Sequence, residues 1–113
     1  APSGALDNKQ DVQKQLVKPG RVVISGLKSY KAGKLVVRIK GVPTADYYEI
    51  QYSQRNDFIK NNIKKNYGIK KKLSLLRGKT FYIRVRAVRY GNNITGYKDI
   101  KGKWSKVKKI KIK

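Results

Sequence analysis

Two runs of alternating residues constrain the fold of this chain more than any other feature of its sequence. In residues 35–39 and 81–87, apolar side chains occupy every second position, and the second run places bulky polar residues between them. A period of two is the pattern of a β-strand that has one buried face and one face in water. The sequence therefore predicts a sheet whose outward face carries many of the cations.

The chain also carries a large excess of positive charge. Its 113 residues include 29 Lys and Arg against 6 Asp and Glu, which gives a formal net charge of +23. The length suffices for one domain with a core, and the 39% of apolar residues fall in strand-like runs that disordered chains lack. This charge indicates a polyanionic partner, such as nucleic acid, an anionic membrane or an anionic cell-wall polymer, or else a solvated coat that keeps the protein soluble.

Cysteine and histidine are both absent. Their absence excludes disulfides, thiolate metal sites, the usual zinc sites and the usual nucleophile–base pairs, and we expect no metal ion and no cofactor. No apolar stretch approaches the roughly 20 residues that cross a bilayer. Because the chain starts at Ala1 without a signal peptide, we expect a mature form or an excised fragment.

A Pro-Gly pair divides the chain. Residues 1–18 are of mixed charge with few apolar positions, and we interpret them as a flexible N-terminal linker. Residues 19–113 carry short strand patterns separated by turns, without the alternation of strands and helices that makes a parallel sheet. They predict one seven-stranded antiparallel β-sandwich, whose strands include 21–27, 34–41, 47–53, 73–75, 80–90 and 104–113.

The alternation also assigns side chains to the two faces. Glu49 and Gln51 are predicted to point outward from the third strand, as are Arg84 and Arg86 from strand 80–90. The stretch 54–72 is the least regular, and its apolar residues are expected to cap one end of the core: Phe58, Ile59 and Ile63.

Three segments resemble bacterial fibronectin type III domains. Residues 42–53, VPTADYYEIQYS, resemble the third strand of that family, residues 75–87 its E–F corner and sixth strand, and residues 102–107, GKWSKV, the last strand of its Lys-rich members. The resemblance covers residues 19–113 and implies an immunoglobulin-like sandwich. It also implies secretion or display at a cell surface, since the Lys-rich members occur in secreted and surface proteins of Firmicutes.

Two positions depart from the family pattern. Ile39 stands where the family has a core Trp, and Phe81 stands at the corner position of a Tyr whose hydroxyl bonds the backbone upstream. An aliphatic side chain still fills a core site, whereas the hydroxyl bond at the corner is lost. We therefore expect the fold to be kept and the corner to be less rigid, with Tyr82 facing water.

The acidic residues do not form a catalytic constellation. No two of them have the spacing of a glycosidase pair on adjacent strands, and none is predicted to be buried, as a Lys–Asn cross-link would require. We therefore expect no enzymatic activity. Trp104 is interpreted as a lid over one end of the core, with a sugar platform as the alternative. The six acids are Asp7, Asp11, Asp46, Glu49, Asp57 and Asp99.

Two basic clusters are the candidate binding residues. A stripe that mixes Arg and Tyr could stack on bases or sugars and neutralise phosphates. Alternatively, these are ordinary exposed strand residues that pair across strands and protect sheet edges. The first cluster is Lys60, Lys64, Lys65, Lys70, Lys71 and Lys72, and the second is Tyr82, Arg84, Arg86 and Arg89 with Lys109 and Lys111 beside them.

The resemblance and the charge together predict a non-catalytic accessory module of a secreted or cell-surface bacterial protein. Such a module would be a monomer that spaces neighbouring domains of its polypeptide, or that binds protein, glycan or an anionic wall polymer by Coulomb attraction. The alternative is a nucleic-acid-binding protein that uses the face of Tyr82, Arg84 and Arg86. Because Lys is a point charge without the fork that reads a base edge, the excess of Lys over Arg weakens this alternative.

Overall fold

The structure, a computed structural model, describes residues 18–113, and within that range it contains strands and no helix. The predicted linker 1–18 lies outside the described residues except for Lys18. The strands are β1 Ile24–Lys31, β2 Lys34–Ile39, β3 Tyr47–Ser53, β4 Asn62–Asn66, β5 Lys70–Ser74, β6 Thr80–Arg89, β7 Ile100–Lys101 and β8 Lys108–Lys111.

The strands form two antiparallel sheets packed face to face. One sheet has three strands in the order β1-β2-β5, and the other has five, in the order β4-β3-β6-β7 with β8 also paired to β6. The predicted all-β antiparallel sandwich is therefore confirmed, with eight described strands rather than seven. β4 lies within the stretch interpreted as irregular, and β7 has only two residues. β4 was missed because Ile63 is its only apolar residue; its pairing with β3 makes it a strand.

The core lies between the sheets and follows the predicted alternation. Leu35, Val37 and Ile39 of β2 face Ile83 and Val85 of β6, all with at most 4% of their surface exposed. Each such aliphatic side chain contributes about 1.5–3 kcal/mol when it is fully buried. The first strand begins at Ile24 rather than residue 21, and the last covers 108–111 rather than 104–113.

Backbone hydrogen bonds hold the corner before β6. Phe81 is buried and lies against Tyr52, with their ring centroids 6.3 Å apart. Gly78, in the left-handed region with φ 74°, donates its N–H to the carbonyl of Ile112 at 2.8 Å. Ile112 donates in turn to the carbonyl of Lys79 at 2.9 Å. The corner without a tyrosine hydroxyl is thus tied to the end of the chain.

The outer face of the five-stranded sheet is covered, contrary to the expectation of a wet face. β3 is buried at all seven positions, including Glu49 at 7% exposure and Gln51 at 6%. The prediction that no acid is buried is therefore wrong for Glu49. The reason is that loop residues fold over this face: Phe58 is buried there rather than at one end of the core, whereas Ile59 and Ile63 are exposed.

The two ends of the described chain lie at opposite ends of the sandwich. Pro19 is buried, and its carbonyl oxygen lies so close to Gly102 that a Cβ added at Gly102 would come within 2.8 Å of it. The N–H of Gly102 donates to the carbonyl of Ala87, near the end of β6. Lys113 accepts a hydrogen bond from Gly33 in the β1–β2 turn. The intervening length of β6 is roughly 25 Å at about 3.3 Å per residue.

Candidate polyanion-binding surfaces

The two predicted arginines of β6 are part of a stack of rings and cations on the outer face of the five-stranded sheet. The Arg84 guanidinium lies 4.2 Å from the ring centroid of Phe58 and 4.5 Å from that of Trp104. The Arg86 guanidinium lies 4.2 Å from the Trp104 ring. Trp104 therefore covers this face rather than an end of the core. We call Phe58, Arg84, Trp104 and Arg86 the cation–π stack.

Hydrogen bonds to β3 fix the same two arginines. Arg86 Nε donates to the Glu49 carboxylate at 2.9 Å, and Lys101 Nζ approaches the same oxygen at 3.6 Å. Arg84 Nε donates to the side-chain carbonyl of Gln51. Burial, and then the neighbouring Arg86 cation, lower the pKa of Arg84. One edge of each guanidinium is thus bound within the protein, which a flat and fully exposed platform for bases would not show.

The structure divides the predicted lysine cluster between the two sheets. Lys64 and Lys65 lie on β4 at the edge of the five-stranded sheet, and Lys60 lies in the preceding loop. Lys65 Nζ is 4.9 Å from the ring centroid of Tyr47. Residues 70–72 lie on β5 in the three-stranded sheet. Sequence proximity placed these residues together, whereas the crossing from β4 to β5 separates them.

The remaining predicted residues lie along β6 and β8. Tyr82 is directly opposite Lys109, and Lys111 is opposite Thr80, so the structure brings Tyr82 and the two lysines together. Arg89 is opposite Ile100 at the end of β6. The assignment of an anion-binding role to these side chains stays a prediction.

The outer face of the three-stranded sheet carries Lys70 and Lys72 of the predicted lysine cluster together with three cations that the sequence prediction missed. In register, Gly26 lies beside Arg38 and Arg38 beside Lys70. The next row places Val36 between Lys28 and Lys72. Alternation then assigns one face, which we call the basic face, to Lys28, Lys34, Arg38, Lys70 and Lys72.

Geometry concentrates the charge of the basic face. Neighbouring strands lie about 4.8 Å apart and successive residues on one face about 6.6 Å apart, so the five cations occupy an area of roughly 10 by 14 Å. Arg38 and Lys70 are directly opposite each other, an arrangement of like charges that destabilises a sheet. Val36 is only 8% exposed although it lies on the outer face, because the stems of flanking lysines cover apolar surface while their ammonium groups stay in water.

No acidic residue compensates the basic face within residues 18–113, because the four described acids are engaged elsewhere. Asp57 bonds Arg55 at 2.6 Å, and Asp46 accepts from the N–H of Tyr90 at 2.7 Å. Asp99 accepts from the Tyr47 hydroxyl at 2.5 Å, a bond that holds the Asp99 pKa below its usual range. Glu49 is the fourth acid. None lies on β1, β2 or β5.

Residues 18–113 contain neither a cluster of metal ligands nor a helix that would span a membrane. No group of three or more Asp, Glu, His or Cys side chains that could hold a metal ion lies in this range. The same residues include no helix of the length and apolarity that would cross a membrane.

Comparison with known proteins identifies the fold. No family model matches the sequence, and no curated protein matches it. Among solved structures, the sixth fibronectin type III domain of human fibronectin type III domain containing protein 3 is similar, with a TM-score of 0.65 and 14% identity over 85% of this chain and 87% of that one.

Two other solved structures agree with that similarity. A fibronectin type III domain from the human KIAA0970 protein has a TM-score of 0.63 and 16% identity over 94% of this chain and 81% of that one. A myokine has a TM-score of 0.64 and 14% identity over 84% and 98%. The fold is thus that of a fibronectin type III domain, an immunoglobulin-like sandwich.

Proposed function

We propose that this domain is a non-catalytic, polyanion-binding module of a larger secreted or cell-surface bacterial protein, and that it holds that protein to an anionic wall polymer or acidic glycan. The basic face is the observation that carries the proposal. Its five cations share one side of a sheet on which no described acid lies. A repeating phosphate or sulfate chain relieves the repulsion between the opposed Arg38 and Lys70.

The mechanism is Coulomb attraction followed by counterion release. A flat array of ammonium groups with one guanidinium has no shaped cavity that would select a particular monomer. The affinity therefore depends on the charge density of the polymer and falls steeply as salt rises. We propose the same surface for any linear polyanion that the parent protein meets outside the cell.

The alternative, nucleic-acid binding through Tyr82, Arg84 and Arg86, has weaker support. Bases would have to stack on side chains whose faces are open, but the rings of Phe58 and Trp104 already lie against the Arg84 guanidinium. If single-stranded DNA binds the basic face, it does so only through its phosphates, and its affinity is therefore independent of base sequence.

The test is the salt dependence of binding to poly(glycerol phosphate), measured by fluorescence anisotropy of the labelled polymer between about 50 and 200 mM NaCl, the range in which such contacts weaken steeply. For the wild-type protein we expect a linear fall of log affinity with log salt. The triple variant Lys28→Gln, Arg38→Gln, Lys72→Gln is expected to lower the slope by about 2–3, since each phosphate neutralised contributes about 0.7–0.9.

The matched control removes the same charge elsewhere. Lys79, Lys106 and Lys113 are exposed and lie off the basic face, and their triple replacement by Gln is expected to change the slope by less than half as much. An equal effect of the two triple variants would show that only net charge matters and would overturn the assignment to the basic face. An affinity that does not change with salt would overturn the mechanism.

A further inference from the structure

A shallow groove beside the cation–π stack has an unusual lining. It encloses about 560 Å³ on the side of the sandwich opposite the basic face, and Trp104 forms part of its wall. No acidic side chain lines it within the described part of the chain. Its cations come from β6, from β7 and from segments outside the strands: Lys18, Arg21, Arg84, Arg86, Lys101 and Lys103.

Two of these cations are already oriented. Arg84 and Arg86 each use Nε to bond a β3 side chain, and the Trp104 ring lies against both guanidiniums. Within residues 18–113, their terminal Nη atoms donate no hydrogen bond to the protein. A guanidinium carries five N–H donors, so each arginine keeps donors available while its conformation is fixed. Binding an anion there costs little side-chain entropy.

Exposed cations surround this fixed pair. Arg21 is exposed and is itself positioned, because its Nε donates to the Trp104 carbonyl at 2.9 Å. Lys103 is exposed next to Trp104, and the Lys101 side chain is 47% exposed. Forked donors at fixed spacing match a tetrahedral oxyanion, whose oxygens accept several charge-assisted hydrogen bonds at once.

We propose that this groove is a binding site for a single phosphate or sulfate group, held by the fixed guanidiniums of Arg84 and Arg86 and by the exposed cations of Arg21 and Lys103. The site is separate from the basic face, because the groove lies on the five-stranded sheet. Binding here involves shape and directed hydrogen bonds. A part of the affinity therefore persists at a salt concentration that removes binding to the basic face.

Trp104 gives a direct readout, since it is the only tryptophan of the chain and lines the groove. Its fluorescence is titrated with sodium phosphate and, separately, sodium sulfate, at constant ionic strength held with NaCl. We expect a saturable change with at least one of the two anions. Phosphate and sulfate esters of glycerol and glucose, titrated in the same way, distinguish a phosphate-bearing from a sulfate-bearing ligand.

The groove variant is Arg21→Gln with Lys103→Gln, two exposed positions that are not members of the cation–π stack. It is expected to raise the dissociation constant by about tenfold or more, because charge-assisted hydrogen bonds are lost. The control, Lys28→Gln with Arg38→Gln, removes the same charge from the basic face and is expected to change it less than about twofold. Circular dichroism checks that both variants are folded.

Several outcomes overturn the proposal. One is a fluorescence change that fails to saturate, or that NaCl alone reproduces at the same ionic strength. Another is equal weakening in the groove variant and the control. The proposed function is tested separately, because loss of polymer binding in the basic-face variant with intact phosphate binding at Trp104 supports both sites. Intact polymer binding and intact phosphate binding in the basic-face variant support the groove and remove the basic face, whereas loss of phosphate binding in that variant removes the groove.

Discussion

Replacement of Arg86 by methionine is expected to destabilise the domain by about 2–3 kcal/mol, because it leaves a buried carboxylate without its closest partner. Arg86 Nε donates to Glu49 at 2.9 Å, and the two side chains are 18% and 9% exposed. Hydrogen bonds to charged groups contribute about 1.5–3 kcal/mol, and breaking a fully buried ion pair costs about 3–5 kcal/mol. The expected cost of about 2–3 kcal/mol lies below that of breaking a fully buried ion pair, since Lys101 Nζ remains 3.6 Å from the Glu49 carboxylate.

The measurement is urea unfolding followed by far-ultraviolet circular dichroism, because Trp104 contacts the replaced side chain and its fluorescence would change for another reason. A loss of about 2 kcal/mol also lowers Tm by roughly 8–16 °C in a domain of this size. The matched control is Arg38→Met, which removes the same charge from the basic face. It is expected to stay within about 0.5 kcal/mol of wild type or to stabilise the protein.

A double-mutant cycle separates the ion pair from the packing of the stem. Glu49→Gln combined with Arg86→Met is expected to cost at least about 1 kcal/mol less than the sum of the single replacements, since neither charge is then left alone. Equal costs for Arg86→Met and Arg38→Met, or strict additivity in the cycle, would refute the reasoning that a buried Glu49 depends on Arg86.

Three further predictions concern titration and backbone packing. Hydrogen bonding from Arg55 lowers the pKa of Asp57 to about 2. In an NMR titration the Asp57 carboxyl signal should therefore have its midpoint near pH 2, and Arg55→Gln should move that midpoint toward about 3.9. The stabilisation that ionised Asp57 gives is present above about pH 4 and is lost as the pH falls toward 2. Burial, and then the hydrogen bond to the Asp99 carboxylate, raise the pKa of Tyr47 above 10. The contribution of the neutral Tyr47 hydroxyl to stability is therefore complete below about pH 10 and is lost as the pH rises further. Tyr47→Phe should reduce the slope of stability against pH above about pH 10, and an unchanged slope would contradict this cause. A Cβ at Gly91 would lie 2.5 Å from backbone atoms, whereas a Cβ at Gly68 would meet nothing within 4 Å. Measured by thermal unfolding, Gly91→Ala should therefore lower the free energy of unfolding by about 1–3 kcal/mol or more, and Gly68→Ala should lower it little. Equal costs for the two replacements would contradict the close packing at Gly91.

The inward half of the sandwich could be predicted from the sequence because burial between two sheets leaves a direct mark on the alternation. Ile83 and Val85 recur at every second position in β6, and both are fully buried. The β3 boundaries were predicted in full, since a Pro-containing turn precedes Tyr47 and polar residues follow Ser53.

The outer faces could not be predicted in the same way. Phe58 and Trp104 are 46 residues apart and come to lie against the same Arg84 guanidinium only after folding. Lys70 and Lys72 of β5 were predicted candidates, but their neighbours Lys28, Lys34 and Arg38 on β1 and β2 were missed, because the order of the strands in the sheet is a property of topology. A local pattern indicates which residues point outward, but it does not indicate which outward residues become neighbours across strands.

The positions of Pro19 and Lys113 also determine how the domain responds to tension. A pull applied to these two residues enters the sandwich through β1 and β8, and β8 is paired along β6 from Lys111 and Thr80 to Lys108 and Ile83. The hydrogen bonds between β6 and β8 are then loaded in shear, all at once, rather than opened one after another. Resistance to stretching from the C-terminal side therefore resides in this strand pair, and the domain transmits force along its polypeptide without first coming apart.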